Sequence, residues 1–115
     1  MSRNVILIKS KEFAVRIINL YKHLCANKKE YVLSKQVLRS GTSIGANVRE
    51  ANVAQSKKEF VAKMNISLKE AAETEYWLEL LHETDYITQA EYESLAEDCS
   101  VLNRLLISII KTSNS

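Results

Sequence analysis

Proline is absent from the sequence, and glycine occurs only twice in 115 residues. Folds built from many short strands need such residues in their turns, so this scarcity argues against a β-sandwich or a β-barrel. Cysteine is also scarce, and Cys25 and Cys99 form neither a CxxC motif nor a Cys–His cluster. We therefore predict two free, buried thiols rather than a disulfide or a metal-binding pair.

Long apolar segments are missing as well. The longest uninterrupted apolar run covers residues 5–8, whereas a membrane-spanning helix needs about 20 apolar residues. The N-terminus has no signal-peptide apolar core, so we expect a cytoplasmic protein without a membrane segment. With 46% apolar and 26% charged residues, the composition is typical of one globular domain, here residues 1–115.

The apolar residues that are present follow a helical period. They recur every three or four positions, with short polar breaks between the periodic segments. The predicted helices cover about residues 10–26, 32–54, 56–84 and 88–111. Four amphipathic helices with short connections predict an all-α fold, an antiparallel up-down-up-down four-helix bundle. The residues predicted to face its core are Phe13, Ile17, Leu20, Leu24, Leu33, Val37, Ile44, Val48, Ala51, Phe60, Met64, Leu68, Ala71, Leu78, Tyr92, Leu95, Cys99, Leu102, Leu106 and Ile109.

Three helix starts carry capping residues. Ser10 is the predicted N-cap of the first helix, and residues 1–9 before it have no clear pattern. The pairs Ser56/Glu59 and Thr88/Glu91 have the spacing of capping boxes, in which two side chains satisfy free backbone N–H groups reciprocally. They predict the starts of the third and fourth helices.

Gly41 and Gly45 lie in the middle of the second predicted helix, where each glycine costs about 1 kcal/mol relative to alanine. Their spacing of four residues places both on one flank of that helix. Small residues on one flank allow a neighbouring helix to approach closely, so we interpret the pair as a packing feature. A phosphate-binding loop would need a preceding strand and a following GK[ST], and neither is found.

The net charge of +2 conceals a strong asymmetry. Residues 1–63 carry thirteen Lys/Arg and four Glu, whereas residues 64–115 carry three Lys/Arg and ten acids. A basic half can bind a polyanion or attract the acidic half of another subunit; the simpler alternative is two hairpins whose solvated faces differ in sign. With no aromatic residue among them to stack bases, weak sequence preference is expected. The predicted phosphate contacts are Lys28, Lys29, Lys35, Arg39, Arg49, Lys57, Lys58 and Lys63.

The third predicted helix has apolar residues on two sides. Its outer set comprises Ala62, Ile66, Trp77 and Leu80. Scattered apolar residues are common on protein surfaces, but a tryptophan on the outer side favours self-association. We predict this set to be an oligomer interface.

Polar residues border the predicted core. Asn47 and Glu50 flank the inner stripe of the second helix, where an unpaired buried group costs about 1–3 kcal/mol. Glu75 or His82 of the third helix are their candidate partners, so we interpret these residues as a buried polar network; a ligand-binding constellation is the alternative. Glu79 and His82 match one Glu-x-x-His motif of a di-iron bundle, but no second motif exists. We expect no metal, no cofactor and no enzymatic activity.

Residues 43–50, SIGANVRE, resemble the S-I-x-A-N-x-x-E signature of a bacterial four-helix-bundle family. Its members are encoded in intervening sequences of 23S rRNA genes and are also labelled S23 ribosomal proteins. The accessory variability protein of diversity-generating retroelements is related to them. Residues 56–60 and 65–68, followed by Glu73 and Glu75, resemble the family's next blocks. Many members have proline where this chain has Gly45.

The resemblance implies a ring-like homo-oligomer, commonly a pentamer, and supplies no catalytic residue. For the retroelement relatives it also implies binding of nucleic acid and of a reverse transcriptase. Arg39 matches a recurrent polar position of the family, as do most members of the predicted network. That predicted structural network comprises Ser43, Asn47, Glu50, Glu73, Glu75 and His82.

Composition, charge and resemblance together predict a non-enzymatic, self-assembling adaptor that binds nucleic acid through its basic half. The alternative is a pure protein-interaction module whose charged halves dock on neighbouring subunits.

Overall fold

The computed structural model describes residues 2–114. The chain forms four helices, α1 (Ser2–Lys28), α2 (Leu33–Asn52), α3 (Lys57–Glu83) and α4 (Gln89–Asn114), and no strand occurs among the described residues. Each helix packs against the next, and α4 returns against α1, although the α1–α4 seam is the least extensive of the four. The predicted all-α, up-down-up-down four-helix bundle is therefore confirmed.

The start of α1 was predicted too late. Ser10 is not an N-cap: it is buried in the middle of α1, and its Oγ donates to the carbonyl of Leu7 at 3.3 Å. The helix begins by Ser2, because Ile6 lies two turns before Phe13 and is fully buried with it. Val5 and Ile8 beside it are exposed. A run that is apolar on every side shows no helical period, which is why the pattern of residues 5–8 did not reveal the helix.

The predicted caps of α3 and α4 are confirmed, although Glu59 reaches back to Gln55, one residue before the N-cap Ser56. Ser56 Oγ accepts from the Glu59 N–H at 3.0 Å, and the Glu59 carboxylate accepts from the Gln55 N–H at 2.7 Å. Thr88 Oγ1 accepts from the Glu91 N–H at 3.1 Å, and Glu91 accepts in return from the Thr88 N–H at 2.7 Å. The hydrogen bond from Thr88 is the main reason why the pKa of Glu91 is lowered.

The two glycines bring α1 and α2 together, as predicted. A Cβ on Gly41 would lie 2.8 Å from two side-chain carbons of Ile17, and a Cβ on Gly45 would lie 3.3 Å from the Ser10 carbonyl oxygen. Contacts below 3 Å require the neighbour to move, and Ile17 is itself fully buried. The loss of helix propensity at these positions is thus offset by close packing.

The predicted core stripes are confirmed apart from Leu33, Leu68 and Tyr92, which are half-buried at its edge. Both cysteines are free, as predicted, although only Cys99 is buried. Burial is the main reason why the pKa of Cys99 rises to about 12. Three further apolar residues complete the core: Ile6, Leu81 and Ile87.

Hydroxyl groups supply the buried polar contacts between α2 and α3. Thr74 Oγ1 donates to Ser40 Oγ at 2.9 Å, and Ser67 Oγ donates to the Ile44 carbonyl at 2.8 Å. Ser40, Ser67 and Thr74 are all inaccessible to solvent. Their small side chains let the two helices approach while every hydroxyl has a partner.

On the other side of the bundle, Arg16 ties α1 to α4. Its guanidinium donates to Asp98 Oδ2 at 2.6 Å and to Ser94 Oγ at 3.0 Å. Both charged side chains remain 40–45% exposed, so the pair contributes little to stability.

Candidate nucleic-acid interface

The outer surface of the α1–α2 hairpin is lined by exposed cations. We call Lys11, Lys22, Lys35 and Arg49 the basic face; all four are exposed. Within residues 2–114 none of them forms an ion pair. The ten acids that follow residue 63 belong to α3, α4 and the turn between them. The charge asymmetry of the sequence is therefore an asymmetry between the two sides of the bundle.

The four cations of the basic face form two pairs, one near each end of the α1–α2 hairpin; we call each pair a level. Lys11 and Arg49 flank a shallow groove of about 230 Å³, whose floor is made of small and apolar residues such as Ala14 and Gly45. Lys22 and Lys35 lie within one turn of the contact between Cys25 and Ser34, near the other end of the hairpin. At 1.5 Å per residue, the two levels are about 17–21 Å apart.

The carboxylates of the same hairpin are buried, paired or on the α4 side of the bundle. The segment from residue 2 to residue 52 contains three acids. Glu12 lies on the α4 side of α1, where it lines a groove with Asp98, and Glu50 binds Lys63 of α3 at 2.8 Å. Glu30 is buried in the α1–α2 turn. A polyanion on the basic face would therefore meet mainly positive charge.

Glu30 builds the α1–α2 turn, a role that the sequence did not reveal. Its carboxylate accepts the backbone N–H groups of Val32, Leu33 and Ser34 at 3.1, 2.9 and 2.6 Å. These are free donors at the start of α2, which has no side-chain cap at Val32. Burial by itself raises the pKa of Glu30, but the three backbone donors outweigh it and hold the pKa below its usual range.

The same turn exposes an aromatic residue among lysines. Tyr31 is 51% exposed and Val32 71% exposed, between the lysines at 28–29 and Lys35. The expectation that no aromatic residue lies among the predicted phosphate contacts is therefore wrong. Tyr31 falls in a turn, outside the apolar stripes of the helices, so helical periodicity gives no sign of it.

The eight predicted phosphate contacts do not form one surface. Lys35 and Arg49 belong to the basic face, and residues 28–29 lie at its turn end, exposed. Residues 57–58 lie at the opposite end of the bundle, in the first turn of α3. Lys11 and Lys22 were missed, although both project away from the inner stripe of α1.

Two of the predicted contacts are engaged inside the chain. Arg39 binds Glu70 at 3.2 Å and also Glu73, which fastens α2 to α3. Lys63 binds Glu50, and this hydrogen bond is the main reason why the pKa of Lys63 is raised. Both cations are already neutralised, so we remove them from the candidate interface.

The residues of the predicted polar network are not joined to one another as expected. Asn47 Nδ2 donates to the Ser43 carbonyl at 2.8 Å, and Ser43 Oγ donates to the Arg39 carbonyl at 2.6 Å, both within α2. Glu50 turns to Lys63 at the surface. Neither Asn47 nor Glu50 reaches Glu75 or His82, because Asn47 bonds within α2 and Glu50 pairs with Lys63 near the start of α3.

The three network residues on α3 point to different neighbours. Glu73 accepts from Trp77 Nε1 at 2.9 Å, and Glu75 accepts from Asn103 Nδ2 at 2.5 Å. The His82 ring stacks on Tyr92 with centroids 4.6 Å apart. The prediction of a single network is thus corrected, and the buried polar contacts belong to the hydroxyl pairs between α2 and α3.

The predicted oligomer interface on α3 is partly accessible. Ala62 and Ile66 are exposed, whereas Trp77 and Leu80 are half-buried. Larger apolar exposure is found on α1, at Val5, Ile8, Val15 and Ile18. The oligomer interface on α3 therefore stays a prediction.

The described residues also bear on two other classes of site. Within residues 2–114 no three His, Cys, Asp or Glu side chains are grouped in a way that could hold a metal ion. None of the four helices, as far as the chain is described, combines the length and apolarity that crossing a bilayer requires.

Comparisons with known proteins place the chain in a family. The family model described as 23S rRNA-intervening sequence protein matches residues 3–108. A crystal structure from Bacteroides thetaiotaomicron VPI-5482, of a protein with unknown function from the S23 ribosomal protein family, is 64% identical to the chain. The match covers 96% of this chain and 99% of that one, with a TM-score of 0.96. No match was found among curated proteins.

The family resemblance carried by residues 43–50 is confirmed, while the relation to retroelement accessory proteins stays a prediction. Because the family model matches most of the length of the chain, the chain belongs to the family of 23S rRNA-intervening sequence proteins.

Proposed function

We propose that the protein binds the backbone of nucleic acid through the basic face, as a non-enzymatic adaptor. The observation that carries this proposal is a row of exposed, unpaired cations on one side of the bundle, where the acids of the same hairpin are buried, paired or turned towards α4. Clustered lysine and arginine side chains bind phosphates and release condensed counterions, which gives affinity without sequence readout.

The number of available cations sets the expected salt dependence. The basic face supplies four, and the lysines at 28–29 add two. If all six contact phosphates, log K falls with log salt at a slope of about −5 on a duplex and about −4 on a single strand. Fluorescence anisotropy with a labelled 20-base-pair RNA duplex, titrated at several salt concentrations, measures this slope directly.

A matched pair of variants separates a local surface from the overall charge. Lys11, Lys22 and Lys35 are changed to Gln in the test variant, and three exposed cations outside the basic face (Lys69, Arg104 and Lys111) are changed in the control. Both variants lose the same charge. We expect the test variant to weaken binding and reduce the slope to about −3, and the control to keep the wild-type slope. Equal losses in both variants, or no binding by the wild type at 50 mM salt, would contradict the proposal.

Self-association is a second candidate, favoured by the apolar surface of α1. Ile8 and Val15 are 59% and 51% exposed, and such side chains in one row are typical of a covered surface. We propose a second copy of the chain as the occupant, because the acidic side of the bundle complements its basic side. The double variant Ile8→Gln/Val15→Gln is then expected to dissociate the oligomer in sedimentation equilibrium.

Ile66→Gln, on the α3 surface, is the companion variant. Ile66 is 40% exposed, so its substitution leaves the core unchanged. Dissociation by Ile66→Gln but not by the α1 variant would assign the interface to α3. A wild type that is monomeric at all concentrations would exclude self-association altogether.

The two candidates are distinguished by a charge reversal that leaves the bundle intact. Arg39 is unsuitable for it, since Arg39 binds Glu70 and Glu73 within the chain. Reversal of Lys22, Lys35 and Arg49 avoids this contact. An oligomer that persists while RNA affinity falls supports nucleic-acid binding, whereas dissociation with it supports the pure interaction module.

A further inference from the structure

The α1–α2 turn holds apolar side chains in water beside positive charge. Tyr31 and Val32 are adjacent and more than half exposed. Lysines 28 and 29 precede them and Lys35 follows one turn later. Neither Tyr31 nor Val32 belongs to the core cluster or packs against it, so folding alone does not account for this arrangement.

The turn is rigid rather than loose. The Glu30 N–H donates to the Leu24 carbonyl at 3.0 Å, which ties the turn back to the last turns of α1. The Glu30 carboxylate accepts three successive N–H groups, those of Val32, Leu33 and Ser34, so the backbone is hydrogen-bonded on both sides of Tyr31. Lys29 adopts a left-handed φ of 55°. The backbone that carries Tyr31 is therefore held in place, and little backbone ordering is needed when a ligand covers the ring.

The charge around Tyr31 favours a phosphate-bearing ligand. The one carboxylate within the turn, that of Glu30, is buried and already engaged by backbone donors. The acids of the same end of the bundle lie on the other hairpin: Glu83 and Asp85 at the α3–α4 turn, and Glu91 in the first turn of α4, where its charge interacts with Lys28. They repel a polyanion from that side and leave the basic face as the favourable direction for a strand that leaves the turn.

We propose that Tyr31 is a stacking platform for an unpaired base of single-stranded nucleic acid. The phosphates on either side of that base contact Lys29 and Lys35, and the strand continues along the basic face towards Arg49. This inference rests on the proposed function and adds a substrate class to it, because bases inside a duplex are stacked on each other, whereas an unpaired base leaves a face free for an aromatic ring.

The test compares two exposed tyrosines. Tyr31→Ala removes the platform, and Tyr76→Ala is the matched control, since Tyr76 is 55% exposed on acidic α3. Anisotropy titrations at one salt concentration use a 20-nucleotide single-stranded RNA and a blunt 20-base-pair RNA duplex as probes. Tyr31→Phe keeps the ring and removes only the hydroxyl. Both alanine changes lie on the surface, and circular dichroism verifies that each variant is folded.

We expect Tyr31→Ala to lose about 5- to 150-fold in affinity for the single strand, which corresponds to one stacked base. Affinity for the duplex stays within twofold, Tyr31→Phe and Tyr76→Ala bind both probes as the wild type does, and the salt slope on the single strand is unchanged.

Four results would overturn the inference in different ways. Equal single-strand affinities for Tyr31→Ala and Tyr76→Ala remove the platform but leave backbone binding by the basic face in place. A loss of duplex affinity as large as the loss for the single strand assigns Tyr31 to general contact rather than to stacking. If Tyr31→Ala dissociates an oligomer while RNA affinity is unchanged, the turn is a protein contact. A wild type that binds neither probe at low salt removes both the inference and the proposed function.

Discussion

Removing the Glu30 carboxylate is the sharpest test of how the α1–α2 hairpin is held together. Glu30→Gln keeps the size of the side chain and one acceptor oxygen but removes the negative charge and the second acceptor. Three backbone N–H groups now share the wild-type carboxylate at distances of 2.6–3.1 Å. In the variant, at least one of these donors loses its partner in a site where Glu30 is only 8% exposed.

The loss of these contacts sets the expected decrease in the free energy of unfolding. A hydrogen bond to a charged group contributes about 1.5–3 kcal/mol, and loss of a helix cap costs about 0.5–2 kcal/mol. Because Gln keeps part of the interaction, we expect Glu30→Gln to lower the free energy of unfolding by about 2 kcal/mol. For a chain of this size, this corresponds to a fall in Tm of roughly 8 °C.

The pH dependence has a definite sign. The pKa of Glu30 is lower in the folded protein than in the unfolded chain. Its contribution is therefore fully present above the unfolded value, near 4.5, and is lost as the pH falls through the lower folded value. The difference in stability between wild type and variant should be constant from pH 8 to pH 5 and shrink in more acidic solution.

Thermal unfolding followed by circular dichroism at several pH values measures both quantities. Glu12→Gln is the control, since Glu12 is an exposed glutamate of α1 and loses the same charge. Equal Tm values for Glu30→Gln and Glu12→Gln at pH 7 would refute the reasoning. A difference that grows towards low pH would refute it as well.

Three further predictions concern the core and the helix ends. A thiol reagent at pH 8 should label Cys25 in the folded protein and Cys99 only after unfolding, because Cys99 is buried and its pKa is raised to about 12; two equal fast phases would contradict this. Gly41→Ala should lower the free energy of unfolding by about 1–3 kcal/mol in urea titrations, since the new methyl would meet Ile17 at 2.8 Å; a gain in stability, as helix propensity alone predicts, would refute the close packing. Changing both lysines at 57–58 to Gln should raise stability by about 0.3–1 kcal/mol, because they lie at the positive end of the α3 dipole; an unchanged Tm would contradict it.

The helices were predictable from the sequence wherever one face is apolar and the other polar. The fourth helix shows this well. The six residues of its predicted core stripe recur at alternating intervals of three and four positions, and five of these six residues are buried. The capping boxes fixed two starts, because Ser56 and Thr88 are placed three residues before glutamates. The prediction of where α1 begins was wrong for the opposite reason. Residues 5–8 are apolar on all sides, and only the packed bundle distinguishes the buried Ile6 from the exposed Ile8.

The candidate site was less accessible to sequence reasoning. Charge along the chain indicates which half is basic, but it does not indicate which cations have a partner. Arg39 and Lys63 meet acids of another helix, and that pairing depends on how α2 is rotated against α3. Glu30 counts as a negative charge in the composition, yet its burial against backbone donors removes it from the surface.

The small contact between α1 and α4 has a consequence for local unfolding of the bundle. Arg16 ties these two helices through an exposed ion pair, while α2 and α3 share inaccessible hydroxyl pairs and the most extensive packing. Local opening should therefore begin by separating the first helix from the last, and amide protons in α4 should exchange before those in the middle of α2. A strand held across α1 and α2 would leave that hierarchy in place and make α4 the element most free to move in the complex.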